Sequence, residues 1–175
     1  PEEESYYDLP HRSETPGTLY QHCVRAIEHA LKFGQHGLPL VGCGDWNDGM
    51  NLVGKEGRGE SVWLAFFVYD VLSQFAGLAE RRNDAVFAER SLAQARQLQN
   101  NIDQHAWDGQ WYRRAYFDNG EPLGSQANPE CQIDSLPQSW SVISGAGNPR
   151  RSHQAMQCVD QLLVRRDAGL IQLFD

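Results

Sequence analysis

Residues 37–61 read GLPLVGCGDWNDGMNLVGKEGRGES, and residues 62–82 continue as VWLAFFVYDVLSQFAGLAERR. The two halves behave differently. The first carries Asp45, Trp46, Asn47 and Asp48 in consecutive positions, with Gly42, Gly44, Gly49, Gly54, Gly57 and Gly59 around them and no apolar period. It reads as a long loop between ordered elements, and loops of that length in compact domains are functional or disordered. A Trp between two acids, followed by Leu52 and Val53, favours order. The second half is apolar nearly all round a helix, with Trp63, Phe66, Phe67, Val68, Val71, Leu72 and Phe75. Such a helix is buried on most sides. A buried helix entered from a functional loop sets the fold class as mainly α.

Working outward, Thr15-Pro16 offers an N-cap and a first-turn proline. Leu19, Cys23, Ala26, Ile27, Ala30 and Leu31 follow at helical spacing up to Gly34, read as a C-cap. Residues 1–14 are polar and read as an extended lead-in. A third helix is expected over 84–106, with Val86, Phe87, Leu92, Ala95, Leu98 and Ile102 on its inner face. Asp108-Gly109 between aromatic residues predicts a β-hairpin whose return strand is 112–117. Asp118-Asn119-Gly120 is a further turn, and 121–134 a loop. A short helix over 135–144 and a last one capped by Asn148-Pro149 complete the chain, which closes on a strand start at 169–175. No βαβ alternation occurs, so a doubly wound sheet is not expected. Stacked inner and outer helices are.

The 175 residues suffice for one domain with a sizeable core. Fifteen basic against 23 acidic side chains leave a net charge of -8 and no basic stripe, which speaks against nucleic acid as a partner. The longest apolar run, Val62 to Leu72, is broken by Asp70 and is short for a bilayer span, so no membrane contact is expected of this segment. Cys23, Cys43, Cys131 and Cys158 form no metal-binding spacing, and reduced thiols in a cytoplasmic setting are the default. The absence of an initial Met and the abrupt last strand suggest a piece of a longer chain.

Asp45 and Asp48 admit several readings. Asp and Asn favour turns by bonding their own backbone. Asp45, Asn47 and Glu56 also fall on positions 1, 3 and 12 of an EF-hand, but Met50 stands where that loop requires glycine. No Gly-Lys-Ser/Thr follows the glycines, so there is no P-loop. The third reading is acid catalysis at a glycosidic bond, where the leaving oxygen needs a proton. An inverting hydrolase needs a second carboxylate about 6.5–9.5 Å away to activate water. Phosphate as nucleophile is already an anion and dispenses with it.

GDWNDGMNLVGKEGRGESVW at 44–63 resembles the catalytic segment of glycoside hydrolase family 94, and IDSLPQSWSVISGAG at 133–147 extends the resemblance. The family comprises inverting β-glucoside phosphorylases and the C-terminal region of cyclic β-1,2-glucan synthases; the Gly-Arg-Gly-Glu-Ser and Leu-Pro-Gln-Ser-Trp details look most like the latter. The resemblance implies part of an (α/α)6 barrel with a small β-hairpin, incomplete in this chain. It implies Asp48 as general acid, inorganic phosphate as co-substrate with no cofactor or metal, and a β-glucan oligosaccharide as partner. It further implies that the rest of a parent polypeptide is needed, on the cytoplasmic side of a bacterial inner membrane if that parent is a cyclic glucan synthase. Trp46 would line the sugar subsite; Asp45 and Asn47 would hold the loop or bond a hydroxyl. Arg58 and Glu60 are candidates for loop anchoring or substrate contact, and Gln138 for reaching the pocket. The family's Glu-Asn-Gly-Gly motif, which precedes its phosphate-binding His, does not occur here.

Overall fold

A computed structural model describes residues 9–10 and 14–175. The expected lead-in falls mostly outside these residues. Residues up to Ala30 cluster as one unit and Leu31–Asp175 as another.

The first unit holds α1, Leu19–Ala30. It starts later than Thr15-Pro16 suggested, because Thr18 and Gln21 form a reciprocal capping box. The Thr18 hydroxyl accepts the Gln21 N–H at 3.2 Å, and the Gln21 side chain accepts the Thr18 N–H at 2.8 Å. Gly34 is not its C-cap. The helix stops at Ala30, Phe33 bridges to Pro39, and the Gly34 N–H goes to the Leu38 carbonyl at 2.9 Å.

The second unit is built on α2, Val62–Arg81. Ser61 caps it by accepting the Leu64 N–H at 3.0 Å. Val62, Ala65, Phe66, Leu72, Ala76 and Ala79 are buried along one face. Each large apolar side chain so buried contributes roughly 1.5–3 kcal/mol. The helix outlasts the apolar run that ends at Leu72, and its 20 residues are long and apolar enough to cross a membrane by length and composition. Its inner face packs instead against α3, Ala85–Asn101, and α4, Ser135–Ile143. The α2–α3 turn is tight: Asn83 takes φ 60°, a conformation Asn tolerates, and Asp84 caps α3 through the Phe87 N–H at 3.1 Å. The expected third helix does not stay regular to 106. It widens to a π turn over Ile102–Ala106. The carbonyl of His105 then accepts the Tyr116 hydroxyl at 2.6 Å and Arg113 Nη1 at 3.0 Å.

After one bridge, Trp107 to Tyr112, the chain gives β2, Ala115–Tyr116, a shorter strand than the expected 112–117. It sits between β1, Glu60–Ser61, and β3, Pro122–Leu123, both antiparallel to it. Glu60 pairs with Tyr116, and Ser61 with Ala115. Leu40 bridges to Glu60 on the other side. The sheet therefore fastens both ends of the 42–59 loop. Asp134 caps α4, and Asn148 caps α5, Pro149–Leu162, as its Asn-Pro sequence predicted. The last strand start does pair: β5, Leu170–Ile171, lies against β4, Val164–Arg165. Five helices and a few two-residue strands make the described chain mainly α.

Candidate active site

The 42–59 loop is ordered by packing at its centre and by carboxylates at both limbs. Val41, Val53 and Ala115 form a small buried cluster, with Met50, Phe117 and Leu123 against it. Gly59 has to be glycine: an added Cβ would lie 2.7 Å from the Gly54 Cα and closer still to the Val53 carbonyl. The Val41 N–H donates to the Gly59 carbonyl at 2.9 Å, so the two limbs meet backbone to backbone.

Asp45 anchors the first limb, and its side chain is fully buried. Arg114 grips it with two parallel bonds, Nη1 to Oδ2 and Nη2 to Oδ1, both 2.7 Å. The Ser61 hydroxyl donates to Oδ2 at 2.6 Å, and the Asn47 N–H to Oδ1 at 3.2 Å. Burial alone would raise the Asp45 pKa. The Arg114 bonds and charge, with Ser61 and Asn47, outweigh it and hold the carboxyl below its usual value. The same guanidinium, 1% exposed, places Nε 3.2 Å from Asp134 Oδ2, within ion-pair distance but off the hydrogen-bond direction. Two buried acids therefore share one cation. Asp134 loses the contest: burial raises its pKa, and the nearby Asp45 charge adds to that, against the Leu136 N–H and Arg114.

Asp118 anchors the second limb. Its carboxylate accepts N–H bonds from Glu56 at 2.8 Å, Arg58 at 2.8 Å and Gly59 at 2.9 Å. Arg58 also donates Nε to the Asp118 carbonyl at 3.0 Å and pairs with Glu56, so it lies along this limb, exposed to solvent.

Asp48 opens a short 3-10 turn, Asp48–Met50, that Asn47 caps by accepting the Gly49 N–H at 2.9 Å. Its side chain is exposed, and among the described residues the carboxylate has no hydrogen-bond or ion-pair partner. Trp46, 58% exposed, stands on the same turn. One carboxylate of the pair is thus locked away and the other offered to solvent beside an aromatic face.

Glu60 takes the anchoring role, one of its two readings, and also lines a cleft beside the second limb, whereas Gln138 lies away from that cleft. Glu60 is 1% exposed. It accepts the His36 and Leu38 N–H groups, each at 3.0 Å, and pairs with the His36 ring, which stacks on Tyr116. Gln138 is fully buried; its amide accepts the Tyr112 N–H at 2.8 Å and donates to the carbonyls of Tyr112 at 2.7 Å and Asp134 at 2.9 Å. Both of its polar ends are consumed, so it clamps α4 to the segment before β2 and cannot reach a ligand. Trp140 packs edge-on against Trp63 and Phe67. The cleft beside the second limb, of about 390 Å³, is also lined by Phe33, His36, Leu40, Arg58, Phe117 and Asn119; neither Asp48 nor Trp46 lines it.

Arg114, Asp118 and Asp134 carry the loop's geometry without having been singled out in the sequence. Arg114 is an Arg inside an aromatic strand pattern, the one signal that could have marked it.

The acid pair thus sits on a glycine-rich loop at the foot of α2, with one member fixed and one exposed. The description "Glycosyl hydrolase 94 superfamily, catalytic domain" matches residues 2–174, and the chain belongs to that family. It is 43% identical to a cyclic beta-(1,2)-glucan synthase of Rhizobium meliloti over 175 residues, covering 98% of this chain and 6% of that protein. It is 37% identical to a solabiose phosphorylase of Paenibacillus borealis, over 89% of this chain and 20% of that enzyme. An N,N'-diacetylchitobiose phosphorylase of Vibrio furnissii is 30% identical over 89% of this chain and 19% of its own length. The chain thus spans a fifth or less of the length of these relatives.

Proposed function

We propose that the full-length protein cleaves or remakes β-glucosidic bonds with inorganic phosphate, and that this segment supplies the general acid, Asp48. The observation that carries this reading is the fate of the acids in residues 44–60. Asp45 is held by Arg114 and Glu60 by His36, and Glu56 pairs with Arg58 at the surface, which leaves Asp48 as the acid of residues 44–60 with no hydrogen-bond or ion-pair partner among the described residues. An acid free in this way can protonate the leaving oxygen, and phosphate, already an anion, needs no second carboxylate to activate it as the nucleophile.

In the reaction, a phosphate oxygen attacks the anomeric carbon on the face opposite the leaving sugar. The glycosidic C–O bond breaks, its electron pair stays on the leaving oxygen, and the Asp48 proton moves to that oxygen. Inversion gives an α-glucosyl phosphate. The Trp46 indole covers the apolar face of the sugar ring, and Asn47 sets the turn that carries both residues. The substrate class is a β-glucan oligosaccharide, with β-1,2 linkage favoured by the likeness to the glucan synthase. Phosphate is a co-substrate, no other cofactor is required, and the phosphate ligands come from the rest of the polypeptide. The reaction belongs in the cytoplasm, where phosphate is plentiful and the four free cysteines stay reduced.

The test is release of glucose 1-phosphate from β-1,2-, β-1,3- and β-1,4-linked glucans by the full-length protein. Release that depends on phosphate supports the reading. Free glucose without phosphate would make it a hydrolase, and glucan binding without bond cleavage would make it a binding module.

A further inference from the structure

We infer that Arg114 is a positioning residue for Asp48, acting through the buried carboxylate of Asp45 and the turn that Asn47 caps. The inference rests on Asp48 being the acid.

A continuous path links the two. The guanidinium forks onto both Asp45 oxygens at 2.7 Å. Asp45 Oδ1 also takes the Asn47 N–H at 3.2 Å, which fixes the residue before Asp48. Asn47 in turn takes the Gly49 N–H on its side chain at 2.9 Å and the Met50 N–H on its carbonyl at 3.1 Å, which fixes the residues after it. Among the described residues the Asp48 carboxylate has no hydrogen-bond or ion-pair partner, so its place is set by this path. The second limb has its own anchor in Asp118.

The other end of the path is equally firm. Arg114 precedes β2, and Ser61 of β1 donates to the Asp45 oxygen that Arg114 Nη1 also contacts. Ser61 caps α2, and Asp134, on the third side of the guanidinium, caps α4. The acid loop is therefore referenced to the starts of two core helices through one side chain. Only a planar fork makes two parallel bonds to one carboxylate; a lysine offers a point charge. A misplacement of about 1 Å in a catalytic group can cost ~10²-fold in rate.

The experiment uses full-length Arg114→Lys. With a β-glucoside donor and phosphate, kcat falls roughly 10- to 100-fold. With β-glucosyl fluoride, whose leaving group needs no proton, it falls less than about threefold. An equal fall with both donors, or no fall, overturns the positioning role. Amide hydrogen exchange gives a readout that needs no activity. Asn47, Gly49 and Met50 exchange at least about tenfold faster, while Arg58 and Gly59, held by Asp118, stay as protected as before. A uniform rise across the loop, or unchanged exchange at 47–50, overturns the inference as well. Should Arg114→Lys not fold, Asn47→Ala cuts the path beyond the buried ions and shows the same donor split. Asp48→Asn is measured in parallel. If it lacks the donor split, the acid assignment has failed, and the exchange data still decide whether Arg114 holds the turn.

Discussion

Gly59 donates its backbone N–H to the Asp118 carboxylate at 2.9 Å across 59 residues of sequence. The Arg58 N–H reaches the same oxygen and the Glu56 N–H the other, both at 2.8 Å. Three amides converging on one acid form an anion nest built from the loop's own backbone. Replacing Asp118 by Ala removes the acceptor and leaves the buried Asp45 anchor intact. The second limb opens, and limited trypsin digestion cuts after Lys55 and Arg58 at least about tenfold faster than in the unaltered protein. Unchanged cleavage would mean that the Val53 cluster, not Asp118, holds the limb.

The same acid gives a pH prediction. The Glu56 N–H, with those of Arg58 and Gly59 and the Arg58 charge, outweighs desolvation and lowers the Asp118 pKa. A lowered folded pKa contributes stability above the unfolded value, about 3.9, which is lost only as pH falls through the folded value. Exchange protection of Arg58 and Gly59 therefore persists through the ordinary carboxylate range and fails below it. Loss already near pH 5 would contradict this.

Local signals located the helices well. Ser61, Asp84, Asp134 and Asn148-Pro149 each cap where the sequence placed a helix start. The errors lie where tertiary contacts override a local cue. Gly34 looks like a C-cap but faces the Glu60 side chain, which would collide with any added Cβ at about 2.6 Å. Ile102–Ala106 keeps helical periodicity yet opens to a π turn, where the His105 carbonyl serves Tyr116 and Arg113. The loop's acids were legible as a group. The family resemblance already offered Asp45 as a loop holder, but no local cue pairs it with Arg114, 69 residues beyond it. Asp118 was hidden for the same reason: an Asp-Asn-Gly turn carries no mark of the amides it binds.

Asp134 predicts an opposite pH trend. Burial raises its pKa in the folded state. A raised folded pKa gives a contribution that is full below the unfolded value, about 3.9, and is lost as pH rises through the folded value. Asparagine can keep the cap on the Leu136 N–H while removing the titration. The stability difference between the unaltered protein and Asp134→Asn, from urea unfolding, therefore shrinks as pH rises from about 3.5 to 7. A gap that widens with pH would mean that Arg114 pairs with Asp134 as strongly as with Asp45.

Trp46 is 58% exposed, so Trp46→Ala leaves stability within about 0.5 kcal/mol. Its indole face is available to a sugar ring, and its loss raises KM for the glucan about tenfold, equivalent to ~1.4 kcal/mol. A stability loss without a KM change would make the exposed ring a structural contact.

Asp45 and Asp48 stand three residues apart and answer to opposite tests. Asp48→Asn keeps the size of the side chain and removes the transferable proton. With a β-glucoside donor the rate falls about 10²–10⁴-fold, the usual contribution of general acid catalysis. A glucosyl fluoride, whose leaving group needs no proton, is largely spared. The carboxylate is exposed and unpaired among the described residues, so the melting temperature hardly moves. Asp45→Asn does the reverse to the fold. Removing one partner of a buried ion pair costs roughly 3–5 kcal/mol, because the other charge is left behind. Asp134 still stands 3.2 Å from the Arg114 Nε, which puts the loss at the lower end. The melting temperature of Asp45→Asn therefore drops by several degrees while that of Asp48→Asn does not. Thermal melts and the two donors, measured on both variants of the full-length protein, separate the roles. An unchanged melt for Asp45→Asn, together with no donor dependence for Asp48→Asn, would move the catalytic proton from Asp48 to Asp45.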